Sequence, residues 1–396
     1  MTKGQQGCIK TTATVGTDDG WKLWLVRTQA RTQQAQRTYP VMLVPGLGSS
    51  GAYTFDLSPQ VSFAEYLALQ GWDVWTVELR GNGHSDKPSL LSSRSRWLTI
   101  DHYVERDLPA LLRHVCMQTG CSAVHCVGHS MGGMVLTGVL ARGDATSRRM
   151  RSVTLIGSSC FLEGSWWEAV KPTMAVAPLL YSVPAGATMR LYSNLAFTRL
   201  AVPALDILYF WPTNTDPALA RAVLARNFSS ISPGVVLQFR SAFKPSGLRS
   251  ARAPDHPAFA DPARLAAVRT PVLLICGDKD KMCPPQGARK QFEMLGSPHK
   301  KLIILGPASG QSSHMGHFDI LMGKRATVEV FPCLHAWLEE HDHVMDLDTA
   351  TMQPVAIPSA EQQPASPCPT DPPPPLHQQP YPRGTPPTFT ATEQAP

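Results

Sequence analysis

The stretch that most constrains this chain runs from Ala123 to Met134 and reads A-V-H-C-V-G-H-S-M-G-G-M. A short apolar run, Val124 to Val127, breaks off at Gly128-His129-Ser130-Met131-Gly132, and a helix-like stretch follows from Met134. G-x-S-x-G is the spacing of a buried strand that turns sharply into a helix and thrusts one hydroxyl out at the bend. The serine of such a bend sits in a strained backbone conformation, and glycines two residues to either side keep Cβ atoms out of the crowded turn. The helix that starts there aims its first amides and the positive end of its dipole at whatever meets the hydroxyl. The same spacing also arises by chance, as a Gly-rich turn with an ordinary capping serine. Here the apolar strand before it and a second glycine behind, Gly133, favour the reactive form.

Strands and helices alternate around this stretch. Cys8 to Gly16 and Trp21 to Thr28 read as two strands joined by a hairpin turn at Asp18-Asp19-Gly20. Val41 to Val44 is a buried strand that ends in Pro45-Gly46-Leu47-Gly48-Ser49-Ser50; Phe63 to Leu69 suits a helix; Val74 to Leu79 is the next strand, left by Arg80-Gly81-Asn82-Gly83-His84-Ser85. His102 to Thr119 has helical periodicity, with Val104, Leu108, Leu111, Leu112 and Val115 on one stripe. A strand is expected at Val153 to Ile156, and the alternation resumes with Pro271 to Cys276 (strand), Pro284 to Leu295 (helix) and Lys301 to Leu305 (strand), before one last helix from Phe318 to Glu340. Such a rhythm predicts an α/β fold with a mostly parallel sheet flanked by helices, and sheets of this kind carry their sites at the carboxyl ends of strands.

Between Cys160 and Pro262 the rhythm is lost to aromatic, leucine and proline residues, which predicts short helices packed as a cap on the core. The expected organisation is therefore a core in two parts, 1–159 and 263–345, interrupted by a helical cap at 160–262 and followed by a tail at 346–396. The tail is Pro, Gln, Ser and Thr, with too few apolar groups to offset the entropy of ordering, and should be disordered or polyproline-like. Its run Pro372 to Pro375 could dock in an aromatic groove of a partner domain, although a solvated tail is the simpler expectation.

Composition excludes more than it selects. A hydrophobic fraction of 43% over 396 residues is ample for a large core, and a net charge of +6 with scattered arginines and no recognition motif argues against nucleic acid. The nine cysteines form no C-x-x-C pair and no metal-ligand spacing. Cys126 and Cys276 fall in strand-like apolar runs as small hydrophobes, so a cytoplasmic or other reducing intracellular compartment is expected. Met1 to Lys10 lacks the apolar region of a secretory signal, and no run of about 20 apolar residues suggests a membrane span.

A serine hydroxyl becomes a nucleophile when a histidine takes its proton and an acid fixes that histidine's tautomer. Behind an elbow of this kind the partners follow in the order serine, acid, histidine. After the strand ending at Cys276 comes Gly277-Asp278-Lys279-Asp280, where Asp280, further past the strand end, is preferred over Asp278. After the strand ending at Leu305 comes His314-Met315-Gly316-His317, where His317 is preferred and His314 is the fallback. The amide of Met131, next to the serine, and that of Leu47, between Gly46 and Gly48, are the natural donors to a developing oxyanion.

With these pieces together the chain resembles the α/β-hydrolase superfamily, specifically its lipase/esterase-like serine hydrolases. The matching motifs are P-G-L-G at 45–48, R-G-x-G-x-S at 80–85, G-H-S-M-G-G at 128–133, G-D-K-D at 277–280 and G-H-F-D at 316–319. The segments 55–67 and 330–342 look like those of a lipase-like group of uncharacterised members. Pro45 departs from the histidine that many lipases place before the oxyanion glycine, and Ser130 departs from the aspartate of epoxide hydrolases and dehalogenases. The resemblance implies a catalytic Ser130–Asp280–His317 triad and ester hydrolysis through an acyl-enzyme, with no cofactor or metal. An acyltransferase or thioesterase on the same triad, or an inactive scaffold, is the competing expectation. Small lipophilic esters are the expected substrates, with Trp166, Trp167, Phe210 and Trp211 of the cap as candidate acyl-binding residues and a cap that could open at a membrane or lipid surface.

Overall fold

The computed structural model describes residues 7–31, 37–58, 60–88, 97–180, 182–198, 203–252 and 259–343, and the expected tail lies outside them. Its eight-stranded sheet comprises β1 (Cys8–Gly16), β2 (Lys22–Ala30), β3 (Val41–Val44), β4 (Val74–Val77), β5 (Val124–His129), β6 (Met150–Ile156), β7 (Val272–Gly277) and β8 (Lys300–Leu305). The strand order is β1-β2-β4-β3-β5-β6-β7-β8. β1 pairs antiparallel with β2, and β2 antiparallel with β4, while every later pairing is parallel. The central strands β3, β5 and β7 are buried along their whole length, as a parallel sheet covered on both faces requires. That is why β3 and β7 read as apolar runs rather than as alternating ones, and why even the two histidines of β5 are buried.

Two apolar layers cover the sheet. On one face the helices Leu108–Thr119 and Met131–Arg142 bring Leu108, Leu111, Leu112, Met134 and Val135 against Met42, Val44, Cys126 and Leu274. On the other, Phe63–Leu69 and Phe331–Glu340 set Phe63, Leu67, Phe331 and Leu334 against Val41, Leu43, Val127 and Ile275. Two expected helices are shaped differently from the periodicity alone. The one predicted over His102 to Thr119 holds a π-helical turn at Tyr103–Asp107 before the regular helix Leu108–Thr119 begins. The one predicted over Phe318 to Glu340 is broken into Asp319–Met322, a π-helical turn at Ala326–Val330 and Phe331–Glu340. Its break is tertiary in origin. The Lys324 N–H leaves the helix to donate to the Asn214 carbonyl at 2.7 Å, and a Cβ on Gly323 would stand 2.5 Å from the Asp319 carbonyl oxygen.

Between β6 and β7 the described chain forms short helices, among them Trp167–Val170, Ala185–Ser193, Pro203–Tyr209, Pro217–Arg226 and Pro233–Phe239. The last three of these and the further helix Pro262–Ala267 open on proline, where the missing N–H costs nothing. The segment Phe228–Ser232 ties this helical region to the core loops. Ser229 N–H donates to the Gly48 carbonyl at 2.6 Å, and Ser232 Oγ accepts from Leu98 N–H at 2.9 Å. No helix among the described residues is long and apolar enough to cross a membrane.

Candidate active site

Ser130 is the one residue between β5 and the helix Met131–Arg142, with φ 54° and ψ −125°. An L-residue rarely adopts such a backbone unless its surroundings leave no choice, and here they leave none. A Cβ on Gly132 would lie 2.3 Å from the Val44 carbonyl oxygen, and one on Gly128 would lie 2.6 Å from the Gly133 nitrogen. Ser130 N–H donates to the Ile156 carbonyl at 2.9 Å, and its own carbonyl accepts from Gly133 N–H at 3.0 Å and Ser158 Oγ at 2.6 Å. Three neighbouring strands, β3, β5 and β6, thus hold one hydroxyl at their carboxyl ends.

The two aspartates and two histidines weighed in the sequence sort themselves into two pairs. Asp280 and His317 are 2% and 1% exposed, and Asp280 Oδ2 lies 2.8 Å from His317 Nδ1. The other carboxylate oxygen, Oδ1, accepts from the N–H groups of Met282 and Cys283, each at 2.8 Å. The fallback residues pair with each other further out, Asp278 Oδ2 with His314 Nδ1, where His314 is part-exposed against Trp211. Gly157, at φ 51°, lies directly against the inner pair: a Cβ there would be 3.1 Å from Asp280 Oδ2 and 3.3 Å from His317 Nδ1. His129, the variable residue of the elbow, holds the backbone of this histidine in place. Its Nε2 donates to the His317 carbonyl at 3.2 Å, and burial, with the neighbouring His317 adding to it, pushes its pKa well below the usual histidine value, so it is neutral.

Ser130 and His317 line one small apolar cavity of about 60 Å³, together with Leu47, Met189, Tyr209, Phe228, Ile231, Met282 and Phe318. Leu47 is thereby in the chamber that contains the hydroxyl, and Gly46 packs on the serine, its missing Cβ 3.0 Å from Ser130 Cβ. Met131 is the first helical residue after Ser130, so its amide belongs to the first turn, whose N–H groups have no intrahelical acceptor. The candidate acyl-binding residues lie elsewhere. Phe210 is fully buried against Phe318, Trp211 stacks edge-on with His314, and Trp166 packs in the apolar cluster of the helical segment. None of the three lines the cavity, and the side chain of Trp167 lies outside the described residues. Tyr209, one residue earlier, and Phe228 do line it; helical phase decides between neighbours, and the irregular cap gives the sequence no phase to read.

Sequence reasoning also missed Cys283. Burial first and Asp280 second push its thiol pKa well above the ordinary value, so it stands in the site as a neutral group. Among the described residues no three His, Cys, Asp or Glu side chains are grouped to hold a metal ion.

An eight-stranded, mostly parallel sheet with a strained serine on a central strand and a buried histidine–aspartate pair beyond the last two strands is the architecture of the α/β-hydrolase fold, and the comparisons agree. Residues 39–175 match the family model of the alpha/beta hydrolase fold. Within that class the chain is lipase- and esterase-like. It is 35% identical over 124 residues to lipase 1 of Drosophila melanogaster, covering 30% of this chain and 26% of the lipase. Human lipase member K is 36% identical over 124 residues, covering 30% of this chain and 31% of its own. Drosophila lipase 3 matches along more of the chain, at 24% identity over 352 residues, 80% of this chain and 86% of the lipase. The chain spans only 37%, 26% and 31% of the first three relatives it matches. Among solved structures, a soluble variant of the Saccharomyces cerevisiae monoglyceride lipase superposes with a TM-score of 0.55 at 18% identity, covering 83% of this chain and 94% of that one. An esterase of Exiguobacterium antarcticum does so with a TM-score of 0.53 at 16% identity, covering 83% and 99%.

Proposed function

We propose that this chain is a serine ester hydrolase acting on lipophilic acyl esters through an acyl-enzyme. The observation that carries the reading is the convergence on one cavity of Ser130, held in the elbow conformation, and His317, fixed at 2.8 Å on Asp280. Asp280 holds the Nδ1–H tautomer of His317, which leaves the Nε2 lone pair to take the Ser130 proton as Oγ attacks the acyl carbonyl. The amides of Leu47 and Met131 receive the negative oxygen of the tetrahedral intermediate. Collapse expels the alcohol, protonated by His317, and a water molecule activated by the same imidazole then releases the acid. The apolar lining from Met189, Tyr209, Phe228 and Phe318 suits an acyl group and keeps water from competing for the oxyanion. The lipases and esterases among its relatives support the same reaction class.

The test is hydrolysis of p-nitrophenyl acyl esters of graded chain length by the full chain and by Ser130→Ala. Turnover should be lost in the variant, and a fluorophosphonate probe should label Ser130 in the wild type. Undiminished hydrolysis by Ser130→Ala removes the assignment.

A further inference from the structure

A second and much larger cavity, about 640 Å³, lies against the catalytic one. The two share Phe228 and Ile231 as a common wall, and two further elements serve both. In the loop after β3, Leu47 and Ser49 face the catalytic cavity while Gly48 and Ser50 face its neighbour. In the helix Ala185–Ser193, Ala185 and Met189 line the first, and Gly186 and Arg190 the second, two adjacent i, i+4 stripes of one helix. The helix packs closely on this boundary: a Cβ on Gly186 would lie 2.4 Å from the Phe228 carbonyl oxygen.

The chemistry of the two spaces is opposite. Lys87, Arg190, Arg226 and His84 line the larger cavity, and no aspartate or glutamate does. Lys87, Arg190 and Arg226 form no ion pair among the described residues. Further in, Asn82 is 3% exposed and its Nδ2 has no hydrogen-bond partner, an unusual state for a buried donor. Glu78 is not among the lining residues; Ser50 Oγ donates to it at 2.6 Å, and burial raises its pKa above the ordinary carboxylate value against the opposing pull of hydrogen bonds and of Lys87. A basic lining without carboxylates, beside a buried amide that has no partner of its own, suits an anion.

We propose that this cavity is the head-group subsite of the catalytic site and selects acyl esters whose alcohol portion carries a phosphate. The inference rests on the ester hydrolase reading. The acyl carbonyl meets Ser130 on one side of the Phe228–Ile231 boundary, and the phosphorylated alcohol lies on the other, paired with Arg190, Arg226 and Lys87. Arginine suits this because its planar donors match phosphate oxygens in pairs. Both arginines are exposed, so they also draw the anionic ester to the site.

The experiment compares kcat/KM for a lysophosphatidate and a monoacylglycerol of the same acyl chain, in the wild type and in Arg190→Gln/Arg226→Gln, alongside calorimetric titration of each protein with glycerol 3-phosphate and with inorganic phosphate. The lysophosphatidate-to-monoacylglycerol ratio should exceed one in the wild type and fall by about tenfold or more in the variant, the worth of at least one lost charge-assisted hydrogen bond. Glycerol 3-phosphate binding should weaken by a similar factor and should weaken as salt rises. A ratio that does not change overturns the subsite, and so does inorganic phosphate binding that leaves ester selectivity untouched, which would mark a separate anion site. Should no ester be turned over by the wild type, the hydrolase reading falls instead. The titration then decides the cavity alone: arginine-dependent binding of glycerol 3-phosphate upholds it, and no binding overturns it.

Discussion

Replacing Asp280 with asparagine tests the site most sharply, because the surrounding backbone dictates which way the new amide points. Oδ1 of Asp280 accepts two backbone N–H groups, from Met282 and Cys283, both at 2.8 Å. An asparagine NH₂ cannot occupy that position without opposing two donors with a third, so its carbonyl oxygen must stay there. The NH₂ is therefore forced onto the Oδ2 side, 2.8 Å from His317 Nδ1. Facing a donor, Nδ1 must become the acceptor, and the proton moves to Nε2, where it blocks the nitrogen that has to receive the Ser130 proton. The variant keeps the shape of the site and loses its base. In a serine protease triad the same exchange lowers turnover about 10⁴-fold, and a loss of that order is expected here for hydrolysis of a p-nitrophenyl ester. Asp278→Asn is the matched control: it disturbs the part-exposed His314 pair, while its amide oxygen can still accept the Met315 N–H that Asp278 Oδ1 takes at 3.0 Å, and turnover should stay within about threefold. Thermal unfolding of both variants excludes misfolding as the cause. A turnover of Asp280→Asn within tenfold of wild type, or a larger loss in Asp278→Asn, would refute the tautomer argument.

Gly157→Ala should place a Cβ at φ 51°, pressed on Asp280 and His317, costing about 1–2 kcal/mol in backbone strain and about tenfold or more in turnover. Melting temperature and steady-state kinetics read the two effects, and unaltered kinetics would mean that the pair tolerates displacement. Gly132→Ala sets a Cβ 2.3 Å from the Val44 carbonyl and 2.6 Å from that of Pro45, both rigid backbone, so soluble folded protein should be largely lost; a normal near-UV circular dichroism spectrum would contradict this. Burial alone would raise the pKa of Asp19, but hydrogen bonds from Arg80 and Thr17 bring it down to about 2, below the ordinary 3.8. A depressed carboxylate contributes stability that is complete above its unfolded pKa and lost as pH falls toward the folded one, here between about 4 and 2. Asp19→Asn should therefore lower stability at neutral pH and shrink the difference from wild type over that acid window, as read by urea unfolding at both pH values.

Much of the fold was legible because its determinants are local. The strand Val41 to Val44, the helix Phe63 to Leu69 and the elbow are each written in adjacent residues, in apolar runs, periodicity and glycine spacing. Where a distant residue intervenes, local reading fails. The C-terminal helix breaks at Gly323 to Arg325 because Asn214, more than a hundred residues earlier, takes the Lys324 N–H. The cap resisted in the same way: its aromatic residues are evident in the sequence, but which of Tyr209, Phe210 and Trp211 faces the cavity depends on how a short helix docks.

The sequence by itself determined the types of group available to the site and their order along the chain: serine in a Gly-spaced turn, then two aspartates after one strand, then two histidines after the next. It left those last two choices open, since Asp278 and Asp280, like His314 and His317, differ by two or three positions in the same loop. Only the tertiary structure sorted them, bringing His317 onto Asp280 in the interior and leaving His314 with Asp278 at the part-exposed edge. The physical reason is that pairing requires proximity within about 3 Å, and two loops that lie adjacent only because β7 and β8 pair side by side have no representation in either loop's own residues. The same holds for the basic cavity, whose lysine and arginines come from three remote segments that only the packed chain makes neighbours.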